Sequence, residues 1–248
     1  MDLIATVDGV ALLVLVVIAA ALYSAVGYGG ASGYLAAMAL FGLDPTVMRP
    51  AALVMNVFVS GLVLYRLRGT GFFNGRLFWP FALASIPTAF AGGALVVPNA
   101  FYSYLVGLVL MVPAAYLLIG TRERAPRGQP ALWASLPTGA GLGFLSGLTG
   151  VGGGIFLSPL LLFMGWASMR ATAAIAAGFI LVNSLAALAG YAAAGTQWPT
   201  GIPALVIAAL LGALVGSELL VRRLRPEKLR RLLGVVLVLA AAKLMLTA

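Results

Sequence analysis

The residues best placed to do chemistry in this chain are glycines, and the chemistry is that of bare backbone N–H groups. Gly150, Gly152, Gly153 and Gly154 crowd into five positions of Gly147-Leu-Thr-Gly-Val-Gly-Gly-Gly-Ile-Phe-Leu-Ser-Pro159. Such a run cannot continue a good helix, because glycine has the most backbone entropy to lose. An apolar run, 131–148, leads into the break, and a shorter one, 155–165, leaves it. At 1.5 Å of rise per residue the shorter run reaches only about 16 Å, half of a hydrocarbon core. A glycine break between a long and a short apolar segment predicts a discontinuous membrane helix. Gly27, Gly29 and Gly30 repeat the arrangement, with a long run at 9–26 before them and a short one at 31–41 after. A half-helix beginning at Gly30 or Gly153 offers unpaired N–H groups and a positive dipole end, which suit an anion. The same glycines could instead serve close helix packing.

Polar side chains near the breaks complete the candidate set. Arg49 and Arg170 each open a span shortly after a short segment. Either is a cation for an anionic substrate or a side chain snorkelling to the interface. Asn56, Ser60, Asn183 and Ser184 lie one or two turns deeper. They can donate to an oxyanion or bond helix to helix. Thr149 and Ser158 flank the second break as weaker candidates. Glu218 sits in an apolar run one turn before Arg222, either paired with that arginine or carrying a coupling proton.

Composition excludes much else. Of 248 residues, 62% are hydrophobic and 8% charged, against about 25% charged in soluble domains. The chain is therefore an all-α polytopic membrane protein, since a barrel would need short segments of alternating polarity. There is no cysteine and no histidine, so thiol nucleophiles, disulfides and the commonest proton shuttle and metal ligand are missing. No nucleophile–base pair is in view, no Walker A glycine-lysine motif occurs, and no cofactor is expected. The net charge of +9 comes from arginines in short loops, which report topology rather than nucleic-acid binding. The N-terminus, Met1-Asp-Leu-Ile-Ala-Thr-Val-Asp8, is acidic where a cleaved signal peptide is basic, so its apolar run is read as retained.

Stepping along the chain, long runs follow each short one: 46–65, 77–97 and 101–119, then 171–192, 201–221 and 229–246. The turn Gly42-Leu-Asp-Pro45 places Pro45 to open a helix. The polar connector 122–130 divides the chain into repeats at 1–121 and 131–248. A shift of 123 residues pairs Gly27 with Gly150, Gly29 with Gly152, Gly30 with Gly153, Gly42 with Gly165, Gly93 with Gly216 and Pro80 with Pro203. That coincidence points to an internal repeat.

Arginines choose the geometry. With the loops at 66–76 and 122–127 cytoplasmic, a short segment that folds back as a hairpin keeps the cations of 222–231 inside too. A short segment that crosses would place them outside. The hairpin reading makes each half an odd number of crossings, so the halves are inverted and the N-terminus lies outside. Trp79, Trp133, Trp166 and Trp198 fall near the resulting interfaces.

The second break and its sequel, Gly150-Val-Gly-Gly-Gly154 with Pro159-Leu-Leu, Gly165, Arg170-Ala171, Asn183-Ser184 and Gly190-Tyr191, resemble the sulfite exporter TauE/SafE family of membrane transporters. The likeness runs over nearly the whole chain in two copies. The first copy departs from it, with no third consecutive glycine and Ala36 where Pro159 aligns. The resemblance implies transport of small sulfur-containing anions such as sulfite, thiosulfate or organosulfonates. The expectation is an inner-membrane secondary transporter that binds its anion midway between the two breaks and works by alternating access. The alternatives are a passive anion channel with the same site and a scaffold subunit whose arginines bind anionic lipid.

Overall fold

The computed structural model describes residues 7–25, 30–119, 128–196, 198–221 and 227–247. Gly27, Gly29, most of the connector at 122–130, and Arg222, Arg223 and Arg225 lie outside the described residues.

Ten helices make up the described chain: α1 Val7–Ala25, α2 Ala31–Leu40, α3 Pro45–Leu67, α4 Gly75–Ala94, α5 Asn99–Ile119, α6 Leu132–Thr149, α7 Gly154–Phe163, α8 Met169–Ala193, α9 Ile202–Val221 and α10 Glu227–Thr247. The starts and stops have local causes. Asp44 caps α3 by accepting from the Thr46 N–H at 2.8 Å, with Pro45 in the first turn. Asn74 caps α4 through the Leu77 N–H, and Ser168 caps α8 through the Ala171 N–H. The two half-helices start after Gly30 (φ 89°) and Gly153 (φ 73°), left-handed positions that side chains disfavour. Moved by 123 residues, α2 falls on α7 at both ends, although the first break has the weaker motif.

Five helices (α1, α3, α4, α5 and α8) are long and apolar enough to cross a membrane. Within the residues whose side chains are described, α9 and α10 are apolar over Ile202–Glu218 and Gly234–Leu246. Helix α6 is eighteen residues long, but Gly139, Gly141, Gly143 and Gly147 dilute it.

Three of those glycines explain the packing. Gly139, Gly143 and Gly147 face the carbonyls of Phe81, Ser85 and Ala89, so closely that a Cβ on any of them would collide with α4 backbone. The numbers rise together, so α4 and α6 run parallel in a small-residue contact. Gly212 and Gly216 face the carbonyls of Val17 and Ala21 in the same way, making α1 and α9 parallel. Each half thus lays its first helix on the fourth helix of the other. Gly178 packs on Phe78 and Gly190 on the Phe90 carbonyl, so α8 also runs with α4. Helices α5 and α10 pair antiparallel, Gly107 meeting Met245 and Gly234 meeting Leu118.

The half-helices sit inside this bundle. All of α2 except Leu40 is buried, and Gly154, Ile155, Leu157, Ser158, Leu161 and Leu162 of α7 are buried as well. Arg66, at the end of α3, pairs with Glu218 near the end of α9 at 3.0 Å. That contact brings the basic 66–76 loop to the same end of the bundle as the close of α9. Glu218 thus has a partner on α3, while Arg222, its expected one, lies outside the described residues.

Candidate functional site

The second break is a helix end followed at once by a helix start, and its hydrogen bonds can be followed group by group. The last turn of a helix leaves carbonyls without partners, and a buried carbonyl must find one. Here the Ser146 carbonyl accepts from the Gly150 N–H at 2.9 Å. Nε of Arg49 donates to the Gly147 carbonyl at 3.0 Å. The Tyr102 hydroxyl donates to the Thr149 carbonyl at 2.8 Å, and Nδ2 of Asn56 donates to the Gly150 carbonyl at 3.1 Å. All three side-chain donors come from α3 and α5, in the first half of the chain. The break in one half is capped by the other.

On the far side of the break the chain offers donors. Gly152 (φ 81°) and Gly153 (φ 73°) are consecutive left-handed residues, and their N–H groups take no partner among the hydrogen bonds of the described residues. Free N–H groups at a helix start sit at the positive end of the helix dipole. Neighbouring side chains stand close. A Cβ on Gly152 would stand 2.8 Å from Cγ2 of Ile180 and 3.0 Å from Nδ2 of Asn56. On Gly153 it would stand 2.9 Å from the Phe179 ring and 3.3 Å from Cβ of Ser146. Ser146, which packs against Gly153, has a fully buried hydroxyl with no hydrogen-bond partner.

The sequence-expected residues divide accordingly. Arg49, Asn56, Gly150, Gly152, Gly153 and Gly154 come together at this break. Asn183 lies one turn beyond Phe179 on α8, buried, with Nδ2 donating to the Phe179 carbonyl at 2.9 Å. Both Asn56 and Asn183 present an unpartnered Oδ1. Their amides therefore already serve backbone carbonyls, and what each leaves over is an acceptor as well as its second N–H. Gly30 meets the ring of Tyr34 in its own half-helix, and nearby Ser32 donates to the Tyr23 hydroxyl at 2.8 Å. Arg170 stays apart. It is exposed, with its guanidinium 5.2 Å from the centre of the Phe72 ring.

Arg49 is not a snorkelling side chain. It is 6% exposed, and four of its five N–H groups are held by backbone carbonyls. Besides Gly147, these are Leu95 and Gly93 at 2.8 Å each, and Gly92. The arginine thus closes the last turns of α4 and α6 together, where a cation also complements both helix dipoles. Lys243 does the same for α2, donating to the Leu40 carbonyl at 2.6 Å. Lys243 is a lone cation in an apolar run, which is itself a signal in the sequence. Ser146 and Tyr102 are less conspicuous along the chain. A hydroxyl four residues before a helix-ending glycine could have marked Ser146. Nothing local marks Tyr102, whose partner is 47 residues away. Among the described residues no group of three acidic or metal-ligating side chains gathers.

An all-helical polytopic bundle with half-helices beginning in its interior defines a membrane protein of the transporter class. The Sulfite exporter TauE/SafE family matches residues 12–244, and the chain belongs to that family. It is 38% identical over 229 residues to a protein of Sinorhizobium fredii (strain NBRC 101917 / NGR234) named "Probable membrane transporter protein y4hK", covering 90% of this chain and 92% of that one. No solved structure matches the chain. The protein is a multi-pass membrane transporter of the TauE/SafE family, not an enzyme.

Proposed function

We propose that the chain is a secondary transporter of small anions, with sulfur oxyanions and organosulfonates as its substrate class, held between the two glycine breaks and moved by alternating access. The observation that carries this reading is the start of α7. Two adjacent N–H groups, at Gly152 and Gly153, take no partner, and Ser146, which packs against Gly153, has a buried hydroxyl without one. Donors left over inside a membrane bundle are costly unless something accepts from them. The name of the family supplies the sulfur anion as the first substrate to try.

The contact directions support inverted halves, 1–121 and 131–248 about the connector 122–130. Helices α6 and α8 both run with α4, so α7 and its flanking turns carry the chain back to the face where α6 began. That is a re-entrant hairpin. Helix α1 runs with α9, which ends beside the end of α3 at the Arg66–Glu218 pair. Helix α4 leaves from that same end, so α1 and α6 point in opposite senses. With the basic loops cytoplasmic, the N-terminus faces outward in the inner membrane. The Asn56, Asn183 and Arg49 side chains then surround the second break near mid-depth and just outside it.

The test is uptake of sulfite, thiosulfate, sulfonates and carboxylates into vesicles holding the purified protein. It is run beside Gly153→Val, which forces a β-branched residue to positive φ, and Ser146→Ala, which removes only a hydroxyl. Saturable uptake against a gradient that Ser146→Ala weakens and Gly153→Val abolishes is the expected result. Uptake that never exceeds equilibrium would make the protein a channel. No anion flux in any direction would sink the reading.

A further inference from the structure

Arg49 carries a positive charge into the bundle with no carboxylate in salt-bridge reach among the described residues. Carbonyl dipoles satisfy its hydrogen bonds but leave the charge itself uncompensated, which is expensive in a low-dielectric site. The guanidinium also lines a cleft of about 80 Å³ between the start of α3, the end of α4, the start of α5 and the end of α8. Thr46, Asn99, Tyr102, Tyr191 and Thr196 lie on the same cleft. Its size suits a small ion, since pockets for organic ligands of drug size begin near about 300 Å³.

The polar groups of the cleft are arranged around Arg49 in a telling way. Asp44, exposed, is held at the rim by two residues of the cleft, accepting from the Thr46 hydroxyl (2.6 Å) and from Asn99 (3.3 Å). Tyr102 ties the floor to the second break through the Thr149 carbonyl. Gly150 packs on the backbone of Arg49, where a Cβ would stand 3.1 Å from the arginine carbonyl. The one N–H that Arg49 keeps unspent is on Nη1, the nitrogen bonded to Leu95 at the cleft wall.

We infer that this cleft is an anion-binding vestibule with Arg49 as its floor, and that an incoming sulfonate or sulfate-type oxyanion draws the guanidinium away from the α4 and α6 carbonyls on its way to the break. An oxyanion supplies the bidentate acceptor and the counter-charge that four separate carbonyls cannot. Losing Arg49 as a cap would loosen the contact of α4 and α6 with α3. The choice of ligand rests on the anion-transport reading; the existence of the site does not.

The chain has no cysteine, so an introduced one is a clean reporter. Val96 lines the cleft and is 74% exposed. The experiment measures the rate of maleimide labelling of Val96→Cys in purified protein in neutral detergent. Sulfate or methanesulfonate is compared with gluconate at equal ionic strength, and Thr70→Cys serves as a distant control. The expected result is a saturable, several-fold slowing at position 96 by sulfate and methanesulfonate and none at position 70. Arg49→Gln should remove the protection. Should that variant fail to fold, Asp44→Asn keeps the test decisive. Asparagine still caps α3, and removing the rim carboxylate should lower the half-protecting concentration. Equal labelling in all three anions, or protection that Asp44→Asn leaves unchanged, would overturn the inference. Protection that needs added phosphatidylglycerol would also overturn it, pointing to a lipid headgroup. Flux without protection removes the vestibule and leaves the transporter; protection without flux does the reverse.

Discussion

Arg49 and Arg170 stand in matching places, each in the first turns of the long helix that follows a half-helix. Their fates differ completely. Arg49 is buried and bonded to carbonyls of Gly92, Gly93, Leu95 and Gly147. Arg170 is exposed and rests on the face of Phe72. The first holds two helix ends from a distance of 43 to 98 residues along the chain; the second touches one ring. What separates them is the neighbour. Arg49 lies where α4 and α6 end side by side, so unpaired carbonyls surround it. Arg170 lies where the loop before α4 begins, and finds only an aromatic face. A half-helix in each half therefore does not imply a symmetric pair of cations: of the two arginines, Arg49 is the one that holds the second break.

That asymmetry can be broken experimentally, beginning with its strongest element. Arg49→Ala should cost about 3–5 kcal/mol of stability, because it leaves several buried carbonyls without donors. Thermal unfolding in detergent reads this directly, and an unchanged melting curve would remove Arg49 from its structural role. Next, Gly147→Val drives a side chain into the Ala89 carbonyl. Overpacking of this kind costs about 1–3 kcal/mol or more, whereas Gly141→Ala, with nothing within 4 Å, should be neutral or stabilising by up to about 1 kcal/mol. Equal behaviour of the two would deny the α4–α6 contact. A smaller effect is expected of Tyr102→Phe, which loses one hydrogen bond to Thr149 and should destabilise by about 1–2 kcal/mol. Last comes Arg170→Ala, expected to fall within about 0.5–1 kcal/mol for an exposed cation on a ring. A loss of stability as large as that of Arg49→Ala would give Arg170 a structural role equal to that of Arg49.

Much of this architecture could be read along the chain. The glycines of the second break, the turn at Gly42-Leu-Asp-Pro45 and the lengths of the apolar runs located ten helices to within a few residues, because each is a local property. A cluster of glycines that turns to positive φ breaks a helix without help from a distant partner, and proline suits the first turn of the helix it opens. The short run after Gly30 was legible for the same reason, despite its poorer motif. The candidate site was legible only in part. Gly150 to Gly154, Asn56 and Arg49 do meet, but the division of labour among them could not be read. Asn56 and Asn183 read equally as oxyanion donors or as bonds between helices; each donates to a backbone carbonyl, Asn56 across to the second break and Asn183 within its own helix. Ser146, with an unused hydroxyl at the mouth of α7, went unmarked in an apolar run.

The sequence by itself determined the class, the helices and the two breaks. Hydrophobic length and backbone entropy act residue by residue and need no partner. Only the tertiary structure decided which arginine is buried, which side chains cap the end of α6, and which face of α6 meets α4. A helix end advertises four unpaired carbonyls without specifying their donors. Those donors arrive from α3 and α5 once Gly139, Gly143 and Gly147 let α6 settle against the α4 backbone, a contact the chain makes only when its two halves fold together.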